Sequence, residues 1–278
     1  MKSLLSSSIA ITLLSLSVAP AFAQSDGDWS RAYIGLYAGE VQDPDDGGDT
    51  ILFDTNLDGN YGDTVRTSGG ADAFSPGFCD GQAQGTTPAS GCSGNSGGSE
   101  FGVRAGYDWQ SGDWVYGLVA EYGSNDTTDA VSAFSVTPAR YTMIREIDGV
   151  FAFRARVGFV FGEDSANLVY ATGGFARASI KNSFNTSNTA NTFTNTGDSH
   201  ANGSQLGLGY ERRLNDNFTV GIEYLATSLD DDEYRVRSQG PAPATNAFIL
   251  VNPAGTDFRR SDDELDFDSI RLTATYRF

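Results

Sequence analysis

The sequence is poor in positive charge. Its 18 lysine and arginine residues stand against 36 aspartate and glutamate residues, which gives a formal net charge of −18 at pH 7. Only two of the basic residues are lysines, Lys2 and Lys181. A protein that binds nucleic acid needs a basic face for the phosphates. This composition therefore argues against nucleic acid as a partner.

Cysteine and histidine are also scarce: Cys79, Cys92 and His200 are the only such residues. A structural zinc site needs four ligands of these types, so zinc is not expected. We interpret the cysteines as a disulfide that closes a short loop and adds ~3 kcal/mol of stability. Two free thiols or half of a metal site are the alternatives. His200 lies in a Gly-, Asn- and Ser-rich stretch, so we predict an exposed loop histidine and no catalytic residues.

Long apolar runs are absent after the N-terminus. The chain begins with Lys2, an apolar stretch at 9–18 and an Ala-Phe-Ala sequence at 21–23. This is the pattern of a secretory signal peptide, and the stretch is shorter than the ~20 residues of a membrane-spanning helix. We predict that residues 1–23 are removed and that the mature protein, starting at Gln24, resides outside the cytoplasm. An ordinary N-terminal helix is the alternative.

Helical periodicity is nearly absent, whereas apolar and polar residues alternate with a period of two in eight segments. Such alternation predicts β-strands with one apolar face. In the second segment Phe101, Val103 and Ala105 share one face, and Arg104 and Asp108 share the other. The predicted strands are 33–40, 101–110, 114–123, 150–162, 168–180, 205–212, 218–226 and 269–278.

The fifth segment follows the same rule in our interpretation. Arg177 is placed on its polar face. The residues placed on its apolar face are Leu168, Tyr170, Thr172, Ala176 and Ile180.

A soluble β-sandwich and a membrane barrel both fit this alternation, but the connections distinguish them. Short turns alternate strictly with long loops, as they do in up-and-down outer-membrane barrels whose turns and termini are periplasmic. The polar faces are rich in glycine, and the apolar faces often end in aromatic residues. We therefore predict an all-β fold, in which 24–278 forms one eight-stranded antiparallel transmembrane β-barrel. Its long extracellular loops lie at about 42–99, 124–148, 186–202 and 231–263.

Three stretches resemble a known family: 102–122, AYIGLYAG in the first strand and TATYRF at the C-terminus. They are similar to the small outer-membrane β-barrel proteins, relatives of the OmpA transmembrane domain and of opacity-type surface proteins, often described as porin-like. The resemblance covers the eight strands and not the loops. Tyr276 and Phe278 resemble the C-terminal signal that the barrel-assembly machinery reads in that family.

The resemblance implies a Gram-negative outer membrane as the location. It also implies contact with outer-membrane lipid and assembly by the barrel-assembly machinery. The role that it implies is structural, surface-exposed or weakly porin-like. The loops are longer and more acidic than the strands require, and the family gives no function for them.

Charged residues on the inward faces form the predicted lumen network. Eight strands enclose an interior that side chains can fill. Unpaired charges there would be costly, so we expect Arg–carboxylate pairs that plug the barrel, with an anion-preferring channel as the alternative. The predicted network is Arg104, Asp108, Glu121, Arg154, Arg156, Arg177, Glu211, Arg213, Glu223, Arg271 and Arg277.

The stretch DTNLDGNYGD at 54–63 resembles the front of a calcium loop. Positions 1, 3, 5 and 6 of an EF-hand loop carry suitable residues, but position 12 is Val65 and no helices flank the loop. A weak Ca²⁺ site is one hypothesis, and turn-forming residues in an acidic exposed loop are the other. The candidate ligands are Asp54, Asn56, Asp58 and Asp63. No other cofactor is expected.

The predicted function follows from these features. We expect a non-enzymatic, monomeric barrel that contributes to envelope integrity and to surface interactions. A small general-diffusion porin with an Arg-rich lumen is the alternative. In the fourth loop, AFILV at 247–251 is predicted to extend a hairpin above the membrane.

Overall fold

The computed structural model describes residues 28–44, 47–162 and 164–278. The predicted signal peptide lies outside the described residues and stays a prediction. The strands are β1 Ala32–Val41, β2 Ile51–Asp54, β3 Gly77–Asp80, β4 Gln82–Ala83, β5 Cys92–Ser93, β6 Ser99–Ser111, β7 Trp114–Asn125, β8 Thr128–Ser135, β9 Ala139–Phe161, β10 Asn167–Thr186, β11 Thr192–Asn195, β12 Ser199–Arg213, β13 Phe218–Asp230, β14 Val236–Gln239, β15 Thr256–Arg260 and β16 Glu264–Arg277.

Helix is almost absent from the described part of the chain. A single 3-10 turn occurs there, at Pro88–Ser90. None of the described residues forms a helix that is long and apolar enough to cross a membrane.

Eight strands close into a barrel. The antiparallel order is β1-β6-β7-β9-β10-β12-β13-β16, and β16 pairs with β1 to complete the ring. Each of these strands overlaps one of the eight predicted segments, so the eight-stranded antiparallel barrel is confirmed. Short turns join β6 to β7, β9 to β10 and β12 to β13 at one end. The long connections all leave from the other end.

The outer face of the barrel is apolar and exposed. Leu36, Leu206 and Leu272 are 63%, 66% and 67% exposed, and their neighbours on the same face are also large and apolar. Soluble proteins rarely expose a continuous apolar band of this kind, whereas a lipid bilayer covers it. The inward and outward faces of seven strands match the predicted alternation.

The eighth strand, β10, is inverted relative to the prediction. Leu168, Tyr170 and Ile180 are buried inside the ring, whereas Phe175 and Arg177 are exposed on its outer face. The assignment of Arg177 to the lumen was therefore wrong. The physical reason is that Tyr170 is amphipathic: its hydroxyl donates to Glu223 at 3.2 Å while its ring packs 4.9 Å from the Arg156 guanidinium carbon.

Inward tyrosines lie against glycines on the next strand. Tyr33 pairs with Gly106, and a Cβ on that glycine would lie 2.4 Å from the ring. Tyr170 pairs with Gly209 in the same way, with a Cβ distance of 2.3 Å. Only glycine leaves room for a ring that lies flat across the neighbouring strand. These pairs explain why glycine occupies those inward positions of the neighbouring strands.

Beyond the barrel, the long connections fold into a compact unit that we call the loop head: residues 47–98, 126–149, 180–199 and 231–263. β9 and β10 continue into it as a long paired ribbon, and β2, β15, β14 and β11 form a separate four-stranded sheet. Its buried core includes Phe53, Phe74 and Phe258. The segment 247–251 is a turn rather than the predicted hairpin extension, because Phe248 packs into this core.

Candidate functional site: a charged lumen and a loop head

The lumen contains a neutral layer of ion pairs near the short turns, which we call the turn-side layer: Asp108, Arg156, Glu211 and Arg277. Arg156 donates to Asp108 at 2.8 Å and to Glu211 at 2.6 Å. Arg277 donates to the other oxygen atoms of the same two carboxylates, at 2.7 and 2.9 Å. Two cations and two anions thus form a closed ring, and all four side chains are buried. Buried charges are compensated best when they form charge-assisted hydrogen bonds that several groups share.

A second layer, the central layer, lies deeper in the barrel and consists of Arg104, Glu121, Arg154, Glu223 and Arg271. Arg271 bridges both glutamates, at 2.6 Å from Glu121 and 2.7 Å from Glu223. Arg154 Nη2 lies 2.9 Å from Glu121, and Arg104 Nε lies 3.1 Å from the same carboxylate. Each side chain in the layer is at most 2% exposed. Three guanidinium groups thus surround two carboxylates and fill the middle of the lumen.

A third layer closes the lumen where it meets the loop head, and the sequence reasoning missed it. This head-side layer consists of Asp49, Asp129, Arg145, Asp231 and Arg260. Arg260 lies 2.6 Å from Asp49 and 2.7 Å from Asp129, and Arg145 also pairs with Asp129. The sequence contains a signal for this layer, because the alternation of β9 continues before its predicted start at 150. The residues on the buried face of that extension are Tyr141, Met143, Arg145 and Ile147.

The mouth of the barrel at the short-turn end is covered by Trp29. Its indole nitrogen donates to the Ser165 carbonyl at 2.9 Å, and the ring is 1% exposed. The guanidinium carbons of Arg277 and Arg213 lie 4.6 and 5.1 Å from the ring centroid. Cation–π contacts of this kind fix the indole across the opening.

The structure brings together nine of the eleven predicted lumen residues, in the turn-side and central layers. Arg213 lies instead at the mouth, half-buried, where it donates to the Ser165 carbonyl at 2.7 Å. Arg177 is outside the barrel. It pairs along the sheet with Phe151 and Asn202, in the region where the outer face gives way to the loop head.

In the loop head, Cys79 and Cys92 form the predicted disulfide. Cys79 lies on β3, which pairs with β8, and Cys92 lies on β5, which pairs with β4. The bond therefore attaches the small β4–β5 hairpin to the edge of the sheet that continues from the barrel.

The predicted calcium residues form a tight turn. The Asp54 carboxylate, 2% exposed, accepts hydrogen bonds from the amides of Leu57 and Gly59, at 2.7 and 2.8 Å. Asp63 accepts from the amide and the hydroxyl of Thr55, at 2.9 and 2.8 Å.

Asp58 is exposed and accepts from the Asn60 amide at 2.8 Å, which lowers its pKa. Asn56 Nδ2 donates to Asp58 at 3.1 Å. Across the described residues, no three His, Cys, Asp or Glu side chains converge as metal ligands. Turn formation accounts for these residues, and the calcium site stays a hypothesis.

Tyr276 and Phe278 lie on the outer face at the end of β16. Their ring centroids are 5.3 Å apart, and Tyr276 also packs 5.1 Å from Phe218. The Phe278 amide donates to the Ala32 carbonyl at 3.0 Å, which completes the pairing of β16 with β1. The role of these two residues in assembly stays a prediction.

The closed antiparallel ring, the exposed apolar outer face and the charged interior define an integral outer-membrane β-barrel protein. The chain belongs to the family described as outer membrane protein beta-barrel domain, whose family model matches residues 9–278. It is 27% identical over 184 residues to the 31 kDa outer-membrane immunogenic protein of Brucella melitensis, a match that covers 66% of this chain and 68% of that one. The protein of the same name from Brucella suis matches equally.

Two solved structures of outer-membrane proteins match the chain at low scores. The outer membrane protein OprG of Pseudomonas aeruginosa has a TM-score of 0.45 and 13% identity, over 92% of this chain and 99% of that chain. Ail of Yersinia pestis, in complex with the heparin analogue sucrose octasulfate, has a TM-score of 0.34 and 12% identity, over 89% and 99%. Likeness at this level carries no inference about function.

Proposed function

We propose that the protein is a sealed, structural outer-membrane barrel that contributes to envelope integrity and presents its loop head to the surroundings. The observation that carries the proposal is the filling of the lumen by three layers of paired charge. A conducting pore needs a continuous water path, whereas the Arg and Glu side chains of the turn-side and central layers are at most 2% exposed.

Surface display is the second part of the proposal. In barrels with short turns and long loops, the long loops face outwards. The loop head has its own aromatic core, so it offers a fixed surface rather than a set of loose loops. A relative named as an immunogenic outer-membrane protein is in line with exposure of this side of the barrel.

Catalysis is not part of the proposal. A nucleophile in a hydrolase needs an activated base within hydrogen-bond reach. His200 lies exposed on β12, outside the ring rather than in a loop, and its ring contact is the Ser179 hydroxyl at 3.5 Å.

Conductance of the refolded mature chain, 24–278, in a planar lipid bilayer tests the sealed lumen. We expect no discrete current steps from protein whose insertion is verified by heat-modifiable migration. Arg271→Ala and Leu206→Ala serve as a matched pair, because the first alters the lumen and the second alters the lipid face. Steps in the wild type that change with Arg271→Ala and not with Leu206→Ala would overturn the proposal in favour of an anion-preferring porin.

A further inference from the structure

The loop head contains a cavity of about 470 Å³ beside the turn between β8 and β9. All four long connections contribute to its lining: Ser68 from the first, Thr137 from the second, Thr189 from the third and Thr245 from the fourth. Small-molecule sites typically measure ~300–1,000 Å³. The cavity is therefore large enough for a small ligand, and it exists only when all four connections fold together.

The lining of this cavity is uncharged. It contains serine, threonine, asparagine, alanine and aromatic residues, and no Asp, Glu, Lys, Arg or His, although the chain carries 36 acidic and 18 basic residues. A charged ligand would enter without a counter-charge, and burial of an unpaired charge is costly. The acidic surroundings add repulsion for anions. These facts restrict the ligand to an uncharged molecule.

Exposed hydroxyl groups contribute to the lining of the cavity. Ser68, Thr137, Thr189 and Thr245 are all exposed, and each hydroxyl can both donate and accept a hydrogen bond. A ligand that matches them needs several groups of the same dual character. Hydroxyl groups of a polyol or sugar meet this requirement, whereas a purely apolar ligand leaves them without partners.

Two asparagines give the wall a fixed orientation. Asn188 donates to the Tyr141 hydroxyl at 2.9 Å, and Asn246 donates to Asn191 Oδ1 at 3.0 Å. Asn191 is itself held by the Gln239 carbonyl at 3.0 Å. Burial raises the pKa of Tyr141, so its phenol stays protonated at neutral pH. A wall ordered before binding lowers the entropic cost of recognition.

The remaining surface is apolar. Ala73 and Phe248 belong to the aromatic core beneath the cavity, and Val136 is 43% exposed at its edge. A pyranose ring has the corresponding pattern, since its hydroxyl groups lie around the edge and its C–H groups form an apolar face.

We infer that this cavity is a binding site for a neutral saccharide. The inference depends on the proposed function only in that the loop head faces the surroundings. It requires neither a sealed nor an open lumen.

Ligand-observed NMR titration of the mature chain in lipid nanodiscs tests the inference. The neutral probes are lactose, maltotriose and diacetylchitobiose, and sialyllactose serves as the anionic counterpart of lactose. Thr189→Trp places a large side chain at the cavity, while Thr194→Trp makes the same change at an exposed position of β11 outside it.

We expect at least one neutral probe to bind more tightly than sialyllactose. Thr189→Trp should weaken that binding about tenfold, or ~1.4 kcal/mol, and Thr194→Trp should leave it unchanged. The inference is overturned if no neutral probe binds, if sialyllactose binds best, or if the two tryptophan variants behave alike. If the barrel does not conduct and no saccharide binds, this inference fails and the sealed lumen stands. If the barrel conducts and a saccharide binds, the sealed lumen fails and this inference stands.

Discussion

At the scale of single residues, Asp108 shows how much of the lumen depends on one carboxylate. It is 0% exposed and accepts hydrogen bonds from both Arg156 and Arg277. Each guanidinium group also contacts Glu211, so the four charges compensate one another as a set. Removal of one member leaves a buried positive charge without compensation.

Asp108→Asn should therefore destabilise the folded barrel by about 3–5 kcal/mol, although the side chain keeps its size. The measurement is the urea midpoint of unfolding in lipid vesicles, followed by heat-modifiable migration. Asp113→Asn is the matched control, because Asp113 is exposed in the turn between β6 and β7 and should change stability by less than ~0.5 kcal/mol. Equal midpoints for the two variants would contradict the assigned role of Asp108.

Asp54 has a comparable role in the loop head. Its buried carboxylate accepts the amides of Leu57, Asp58 and Gly59. Asp54→Ala leaves these amides without their acceptor, which should cost about 1–3 kcal/mol. Hydrogen exchange at the three amides should rise, and Asp58→Ala, at an exposed position, should have a smaller effect. Unchanged protection in Asp54→Ala would count against this account of the turn.

The calcium hypothesis is tested with the same variants. A bound ion that prefers the folded state raises the unfolding temperature as its concentration increases. If calcium stabilises the wild type and not the Asp54→Ala/Asp58→Ala double variant, the loop holds an ion in addition to its internal hydrogen bonds. Identical unfolding temperatures with and without calcium would remove the hypothesis.

At the scale of elements, β10 is the strand whose two faces the sequence does not distinguish. Val169, Ala171 and Phe175 on the outer face are as apolar as Leu168 and Ile180 on the inner face. Arg177 alone decided the prediction, and an arginine near the edge of a bilayer can extend to the polar interface. On the other strands glycines or a second charge mark the same face, as Arg154 and Arg156 do on β9, and the faces are assigned correctly.

Cysteine labelling checks the register of β10. Arg177→Cys should react with a soluble bimane reagent, and its fluorescence should be quenched by brominated lipid near the headgroups. Ala178→Cys, next in sequence, replaces a side chain that is 0% exposed and should stay unlabelled in the folded protein. The described cysteines are both in the disulfide, so they give no background. Labelling of Ala178→Cys in preference to Arg177→Cys would restore the original face assignment.

The loop head was beyond sequence prediction for a different reason. Its core joins Phe53, Phe74, Phe193 and Phe258, which are far apart in the sequence and follow no common period. Local alternation reports only which face of one strand is apolar. Seven of the eight barrel strands show this alternation clearly, because one face meets lipid and the other meets the lumen. The contacts of the loop head depend on all four connections at once.

At the scale of the whole molecule, the protein consists of two folded parts, a barrel surrounded by lipid and a loop head surrounded by water. The barrel turns its apolar residues outwards to lipid, and the loop head turns them inwards around an aromatic core. The head-side layer joins the two, since Arg145 of the loop head donates to the carbonyl of Glu264 on the barrel strand β16, at 2.7 Å. Because the aromatic core lies wholly within the loop head, the loop head should be able to lose its structure while the barrel persists.

Phe258→Ala tests this division of the molecule. Phe258 is 0% exposed, and its ring lies 5.0 Å from Phe53 and 5.4 Å from Phe248 between ring centroids. Its truncation should destabilise the loop head by about 3–5 kcal/mol, so that protease cleaves the long connections while heat-modifiable migration of the barrel is retained. Val251→Ala, at a position that is 57% exposed, is the control and should resist protease like the wild type. Loss of barrel migration together with the loop head would mean instead that the two parts fold as one cooperative unit, with the head-side layer transmitting the damage.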